Sequence, residues 1–252
     1  MNKQFLLLYT ALFLAAATIV AGCTKEAANS AASTPDTGKG GSLARFTIAR
    51  DHLYAVSNGY LHAYSLENGA APKKVGYVPI TWDVETIYPY GKYLFLGSRA
   101  GLFIYSIDTA SAPRMVGMAS HARSCDPVVA NDSVAFVTLK GGTACGPATS
   151  GLYVHDIKNI TKPQLVKTVP LPDPVGLGLQ DNILYICCGT AGLKVFNVSK
   201  PNEPVLLDTI KDGLYVDVIP YNGVLICFVQ DGIILYDISK PESPVMVKKI
   251  AS

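Results

Sequence analysis

Short apolar runs separated by turn residues recur along the chain from Leu43 onward. Between residues 175 and 210 the runs "VGLGL", "ILYICC", "LKVFNVS" and "VLLDTI" are divided by "QDN", "GTAG" and "KPNEP". Such runs, rich in β-branched and aromatic residues and bounded by Gly, Pro, Asn and Asp, are typical of strands. The run "VLICFV" (Val224–Val229) is apolar at successive positions, which indicates a strand covered on both faces. The pattern therefore predicts an all-β protein built from four-stranded units packed in layers.

The four-stranded unit is repeated five times. The copies of its third strand and following turn, "YLHAYSLENGAAP", "GLFIYSIDTASAP", "GLYVHDIKNITKP", "GLKVFNVSKPNEP" and "GIILYDISKPESP", end at Pro72, Pro113, Pro163, Pro204 and Pro244. Their spacings are 41, 50, 41 and 40 residues. Four strands in each repeat of this length are typical of β-propeller blades, whereas a helical solenoid needs a 3.6-residue period.

We therefore predict a five-bladed β-propeller of four-stranded antiparallel blades over residues 43–252. The expected blades are 43–81, 82–122, 123–172, 173–212 and 213–252. Each copy starts at the innermost strand and ends at the outermost. The ring is therefore expected to close by packing of blade 5 on blade 1, without a strand shared between the chain ends.

The chain begins with the features of an export signal. Lys3 precedes the apolar run Phe5–Val20, which is followed by the small residues of "AGC" (Ala21–Cys23). This order of charge, apolar core and small residues is that of a secretory signal, and the run is slightly short for a spanning helix. A single transmembrane anchor and a secretory signal with an incidental Cys remain alternatives. Residues 24–42 are rich in Ala, Ser, Thr and Gly, which predicts a flexible tether.

The stretch "VAGC" (Val20–Cys23) resembles the lipobox of bacterial lipoproteins. The resemblance implies that residues 1–22 are a lipoprotein signal peptide and that Cys23 carries a diacylglyceryl thioether and an N-acyl chain. Several acyl chains on one residue are enough for stable membrane anchoring. Thr24, standing where Asp would suggest retention in the inner membrane, favours the outer membrane or the cell surface.

The repeat resembles the LVIVD-repeat family. The pattern Gly-Leu-x-Val/Ile-x-Asp-Ile-Ser-x-Pro-x-x-Pro followed by an apolar strand is closest at Gly192–Val205 and Gly232–Val247, and poorest in the first copy, where Tyr60 replaces Gly and Ser65 replaces Asp. The resemblance implies a propeller of a kind found in bacterial and archaeal cell-surface proteins. It brings no assigned reaction and no catalytic residues.

The loops that differ between the copies are the expected place of a binding site. In a propeller, the links between blades and the links between strands two and three share one face, and variation among copies concentrates where function lies. Trp82 and Tyr215 are expected to stack on a sugar or another flat ligand, and acidic residues are expected at the channel mouth. The alternative is a set of solvated loop residues with one packed Trp. The predicted binding face comprises Trp82, Asp83, Glu85, Arg99, His121, Arg123, Asp126, Asp173, Tyr215 and Asp217.

The third copy carries an insert, "GGTACGPATS", that contains Cys145. Cys125 stands near the first strand of the same copy, and an exported protein meets an oxidising compartment, so we predict a Cys125–Cys145 disulfide. Cys187 and Cys227 are expected at matching second-strand positions as buried free thiols. A vicinal pairing of Cys188 with Cys187 is the alternative.

Composition narrows the function classes without selecting an activity. The chain is 49% hydrophobic and 16% charged with a net charge of +2, and without a basic stripe we expect no nucleic-acid partner. The motifs HExxH, GxSxG and CxxC are absent from the sequence, so we predict no cofactor, metal or catalytic residue. We expect a non-enzymatic module that binds a protein or glycan. The alternative is a carbohydrate-active hydrolase or lyase using acidic residues at the channel mouth, such as Asp83 with Asp217.

Overall fold

The structure, a computed structural model, describes residues 40–120, 127–141 and 149–251, all within one compact unit, Pro35–Ser252. The described residues form twenty β-strands in five four-stranded antiparallel sheets. Within each sheet the strands follow one another in chain order. The protein is an all-β, five-bladed β-propeller, as predicted.

Each blade runs from an innermost strand to an outermost strand. Blade 1 contains β1 (Phe46–Ala49), β2 (His52–Ser57), β3 (Tyr60–Ser65) and β4 (Lys73–Pro79). Blade 2 contains β5 (Val84–Tyr90), β6 (Tyr93–Ser98), β7 (Gly101–Ser106) and β8 (Arg114–Ser120). Blade 3 contains β9 (Val128–Ala130), β10 (Val134–Leu139), β11 (Gly151–Asp156) and β12 (Gln164–Pro170). Blade 4 contains β13 (Leu177–Gln180), β14 (Ile183–Cys187), β15 (Leu193–Asn197) and β16 (Val205–Ile210). Blade 5 contains β17 (Tyr215–Tyr221), β18 (Val224–Val229), β19 (Gly232–Asp237) and β20 (Val245–Ala251).

Two-residue turns set the register of several hairpins. Asn222 and Gly223, between β17 and β18, have φ values of 46° and 76°, and Asn58 and Gly59, between β2 and β3, have 52° and 76°. Positive φ at both central residues is the geometry of a type I′ turn, whose twist matches the strands it joins. The Asn-Gly pairs Asn222-Gly223 and Asn58-Gly59 therefore form the tight turns of two hairpins.

The repeated Pro-containing turn is a contact between blades. The Tyr54 hydroxyl in β2 donates a hydrogen bond to the Ala110 carbonyl oxygen in blade 2, at 3.0 Å. The Tyr185 hydroxyl in β14 makes the same kind of bond to the Pro241 carbonyl oxygen in blade 5, at 2.6 Å. Each tyrosine thus joins its blade to the third-to-fourth turn of the next blade, which explains why this turn recurs.

Four buried apolar clusters join successive blades, from blades 1 and 2 to blades 4 and 5. The middle strands β6, β7, β10 and β14 are buried at nearly every position. They are therefore covered on both faces. The run Val224–Val229 (β18), for which we expected the same, is covered on one face only, and Phe228 on its other face is 41% exposed.

The interface position between blade 5 and blade 1, which we call the seam, differs from the other four. Among the described residues no buried apolar cluster joins these two blades. Phe46 lies on the innermost strand of blade 1 and pairs with the fourth residue of the second strand. The residues at the same position in blades 2 to 5 are Ile87, Val128, Leu177 and Val218. Those four residues are 0–1% exposed, whereas Phe46 is 63% exposed. Our expectation that blade 5 packs on blade 1 is therefore wrong, because the apolar face of blade 1 stays open to solvent.

Candidate functional site

Residues 41–44, just before β1, lie across the mouth of the central channel. The Ser42 hydroxyl donates to Asp217 Oδ1 at 3.1 Å and accepts from the Leu177 N–H at 2.8 Å. The Ala44 carbonyl oxygen accepts from the Ile87 N–H at 2.8 Å. These contacts reach blades 5, 4 and 2 in turn. The segment, which we call the strap (residues 41–44), is therefore bonded to three blades at the channel mouth. Residues 41 and 42, which we expected in the flexible tether, are thus part of the folded propeller.

Asp217 holds the strap in place. Its carboxylate accepts hydrogen bonds from the Ser42 hydroxyl and from the Val218 N–H, at 3.1 and 2.9 Å. Burial raises the pKa of Asp217 above its usual value, and bonds from the backbone N–H groups of Val218, Ser42 and Leu43 partly offset that rise. We expected Asp217 on the binding face. The structure uses its carboxylate inside the protein instead.

A shallow cavity of about 480 Å³ lies over the strap, and we call its lining the mouth surface. Links between blades and links between strands two and three meet there, as the propeller geometry predicts. Trp82 stands on it with 81% of its surface exposed. The lining residues are Leu43, Arg45, Trp82, Asp83, Val84, Glu85, Thr86, Arg99, Pro127, Lys140, Pro174 and Val175.

Charges of both signs lie at the mouth surface, and Glu85 and Asp173 are each paired with a cation. Arg99 Nε donates to Glu85 Oε1 at 3.1 Å, and Lys140 forms an ion pair with Asp173. Arg45 Nη2 donates to the Val84 carbonyl oxygen at 3.3 Å. Exposed pairs of this kind add little to stability, but they neutralise the carboxylates. The acidic cluster that we expected at the channel mouth is therefore interleaved with cations.

Tyr215 does not lie on the exposed face. Its side chain is fully buried against blade 4, and its hydroxyl is hydrogen-bonded to that of Tyr236. Burial raises the pKa of Tyr215 to about 12. The expectation that Tyr215 stacks on a ligand beside Trp82 is therefore wrong.

Of the remaining predicted residues, Trp82, Asp83, Glu85 and Arg99 come together on the mouth surface, with Asp173 paired to its Lys140. Sequence reasoning missed Leu43, Arg45 and Lys140. Lys140 follows a second strand at the place where Arg99 follows another, so its position in the repeat was the signal that could have found it. Six predicted residues lie outside the described part of the chain: Cys23, His121, Arg123, Cys125, Asp126 and Cys145.

Three buried cysteines are free thiols: Cys187, Cys188 and Cys227. The alternative of a Cys187–Cys188 vicinal disulfide is therefore wrong. Cys187 is the fifth residue of β14 and Cys227 the fourth of β18, so they do not occupy the matching positions that we expected. Both face the same cluster between blades 4 and 5, where burial raises the pKa of each thiol.

A second cavity, of about 370 Å³, lies toward the opposite end of the channel. It is lined by inner strands of blades 2 to 5 and by Gly40, and its described lining contains no residue of β1.

Within the described ranges, no three His, Cys, Asp or Glu residues are grouped closely enough to hold a metal ion. Nor do these ranges contain a helix with the length and apolar character that crossing a membrane requires.

Comparison with known proteins identifies the fold and nothing finer. No protein-family profile and no curated protein matches the sequence. AztD from Citrobacter koseri aligns with a TM-score of 0.58 and 14% identity, over 81% of this chain and 61% of AztD. A Lactobacillus plantarum protein aligns with a TM-score of 0.61 and 10% identity, over 81% of this chain and 69% of that one. The computationally designed Ika8 protein aligns with a TM-score of 0.57 and 14% identity, over 81% of this chain and 59% of Ika8. The chain thus spans about three fifths of the length of Ika8 and AztD.

Proposed function

We propose that the protein is a lipid-anchored, non-enzymatic binding or assembly module of the bacterial cell envelope. In this proposal Cys23 carries the lipid, the residues between Cys23 and the strap form the tether, and the mouth surface presents Trp82 to a protein or glycan ligand. The observation that carries the proposal is the exposure of Trp82, the only Trp of the chain, at 81% on the rim of a cavity. An aromatic ring exposed beside paired polar groups is typical of the residues that anchor a ligand.

The state of the carboxylates favours binding over hydrolysis. A glycoside hydrolase needs two carboxyl groups that flank the scissile bond and exchange protons with the substrate. Glu85 and Asp173 are held by Arg99 and Lys140, and Asp217 holds the strap. Leu43 of the strap contributes to the lining of the cavity, which suits a surface that binds a ligand.

The envelope location is supported by sequence. The "VAGC" stretch after an apolar run resembles a lipobox, and the repeats resemble LVIVD repeats, which occur in cell-surface proteins. The outer membrane or the cell surface is the proposed site, with Cys23 as the membrane contact.

The anchor is tested by Cys23→Ser in the full chain. We expect the wild-type protein in the membrane pellet, released only by detergent, and the variant in the soluble fraction, because acyl chains supply the membrane affinity. Thr24→Ser is the matched control and should stay with the membrane. A Cys23→Ser protein that remains in the pellet would show that lipid on this residue is not the anchor.

A further inference from the structure

The two blade surfaces at the seam are mostly apolar and partly exposed to solvent. The front face of blade 1 is the side turned away from blade 2, where strand pairing aligns Phe46, Ala55, His62 and Tyr77 in one row and Ile48, Leu53 and Tyr64 in the next. The back face of blade 5 is the side turned away from blade 4, where Ile219, Ile226 and Leu235 form one row and Phe228, Ile233 and Ile250 the other.

Equivalent positions on the second strands of other blades are buried. Phe228 is the fifth residue of its strand and is 41% exposed, whereas the fifth residues of β2, β10 and β14 are 0–8% exposed. On the outermost strands Ile250 is 47% exposed, whereas its blade 2 equivalent Ala119 is 8% exposed. Tyr77 is 60% exposed, and its blade 2 equivalent Met118 is also exposed, at 47%. The front face of blade 1 and the back face of blade 5 are thus the two sides of a blade interface, and neither side is covered by another blade.

The repeat itself defines what fits these faces. Each of the four filled interfaces joins the back face of one blade to the front face of the next. An open front face therefore matches a blade's back face, and the open back face of blade 5 matches a front face. Blades 5 and 1 of one chain do not fill each other, but a second copy of the chain offers both surfaces.

One position of the outermost strand differs between the blades and takes charged residues in filled interfaces as well as at the seam. Lys248 stands at the outer-strand position that is Gly76 in blade 1 and Gly117 in blade 2. Those glycines lie against the third-to-fourth turn of the following blade, at Ser111 and Ile160. Blades 3 and 4 carry Lys167 and Asp208 at the same position within filled interfaces, so Lys248 does not exclude the packing of blade 5 on a blade 1.

We propose that the protein self-associates head to tail, with the back face of blade 5 of one copy packed on the front face of blade 1 of another. Such an interface uses different surfaces on the two copies. Two copies that make both contacts with each other form a closed dimer, and copies that do not close in this way form an open filament. The aromatic residues Phe46, Tyr77 and Phe228 would become buried at its centre and rim, as aromatic residues are in protein interfaces.

The test is sedimentation of the full chain in a density-matched detergent across a hundredfold range of concentration. We expect a mass of at least two copies that falls toward one copy on dilution. Phe46→Asp and Phe228→Asp should each sediment as single copies, because each places a charged carboxylate on one of the two surfaces that every contact needs. An equimolar mixture of the two variants should again form pairs, since one intact back face meets one intact front face. Val205→Asp, at a residue exposed at 56% on an outermost strand away from the seam, is the control and should associate like the wild type.

A wild-type chain that sediments as one copy at every concentration would overturn the proposal. So would association that survives in Phe228→Asp alone, because it would show a symmetric contact between two copies of blade 1. If either Phe variant fails to fold by circular dichroism, Tyr77→Asp and Ile250→Asp take its place on the exposed outer strands of the same faces. Their mixture must then restore the pairs that each variant alone has lost.

Discussion

Ser42 shows how much of the channel mouth depends on one hydroxyl. Its Oγ donates to the Asp217 carboxylate and accepts from the Leu177 N–H, and the residue is 1% exposed. Removing a buried group that both donates and accepts a hydrogen bond lowers the stability of the fold strongly. Its former partners are left without a hydrogen bond in a place that water reaches poorly.

Ser42→Ala should therefore lower the free energy of unfolding by about 1–3 kcal/mol, the cost of leaving the Leu177 N–H without a partner. Denaturant unfolding measures the change. Ser199→Ala is the control, because the bond at that exposed turn is made by the Ser199 backbone N–H to Asn197 Oδ1. It should change stability by no more than about 0.5 kcal/mol. Equal effects of the two substitutions would contradict the role given to Ser42.

The sequence predicted the surface near Trp82 but not the fate of Tyr215, and the reason is a β-bulge. The pairing of β17 with β18 shifts between Tyr215 and Asp217, so Val216 is the extra residue. Without the bulge, residues two apart would share a face; with it, Tyr215 turns into the core while Asp217 faces the strap. Alternation alone carries no signal for a bulge, and the same irregularity recurs between Val84 and Thr86.

Among the elements, the strands and the structural turn followed from the repeat. Periodic apolar runs and Gly-Pro punctuation are local features, and local features decide strand and turn positions. The docking of the turn on the preceding blade was not visible in them, because it depends on contacts between repeats. Gly117 in β8 marks such a contact, since a Cβ there would collide with the Ile160 carbonyl of the next blade's turn.

Gly117→Ala should destabilise the protein by about 1–3 kcal/mol, because the added methyl group overpacks the boundary between blades 2 and 3. Thermal or denaturant unfolding is the measurement. Gly69→Ala provides the comparison, because a Cβ on Gly69 would meet no atom within 4 Å. We expect it to lie within about 0.5 kcal/mol of the wild type. A neutral Gly117→Ala would mean that the turn does not press on this strand.

For the molecule as a whole, the number of blades could be read from the repeat but the state of the seam could not. Five copies of the repeat predict five blades. Whether blade 5 reaches blade 1 depends on the angle between successive blades, and that angle is set by the packing of side chains in all four interfaces. Phe46 carries the same kind of apolar side chain as Ile87 or Leu177 and still remains exposed.

The proposal that the mouth surface around Trp82 receives a ligand of the cell envelope can be tested by cross-linking. The photo-reactive residue benzoylphenylalanine is placed at position 82 of the full chain in living cells, with the same residue at position 205 as the control. Both natural side chains are exposed, at 81% and 56%. We expect a covalent adduct with an envelope protein or glycan from position 82 and none from position 205. No adduct from position 82, or equal adducts from both positions, would contradict the proposed ligand surface.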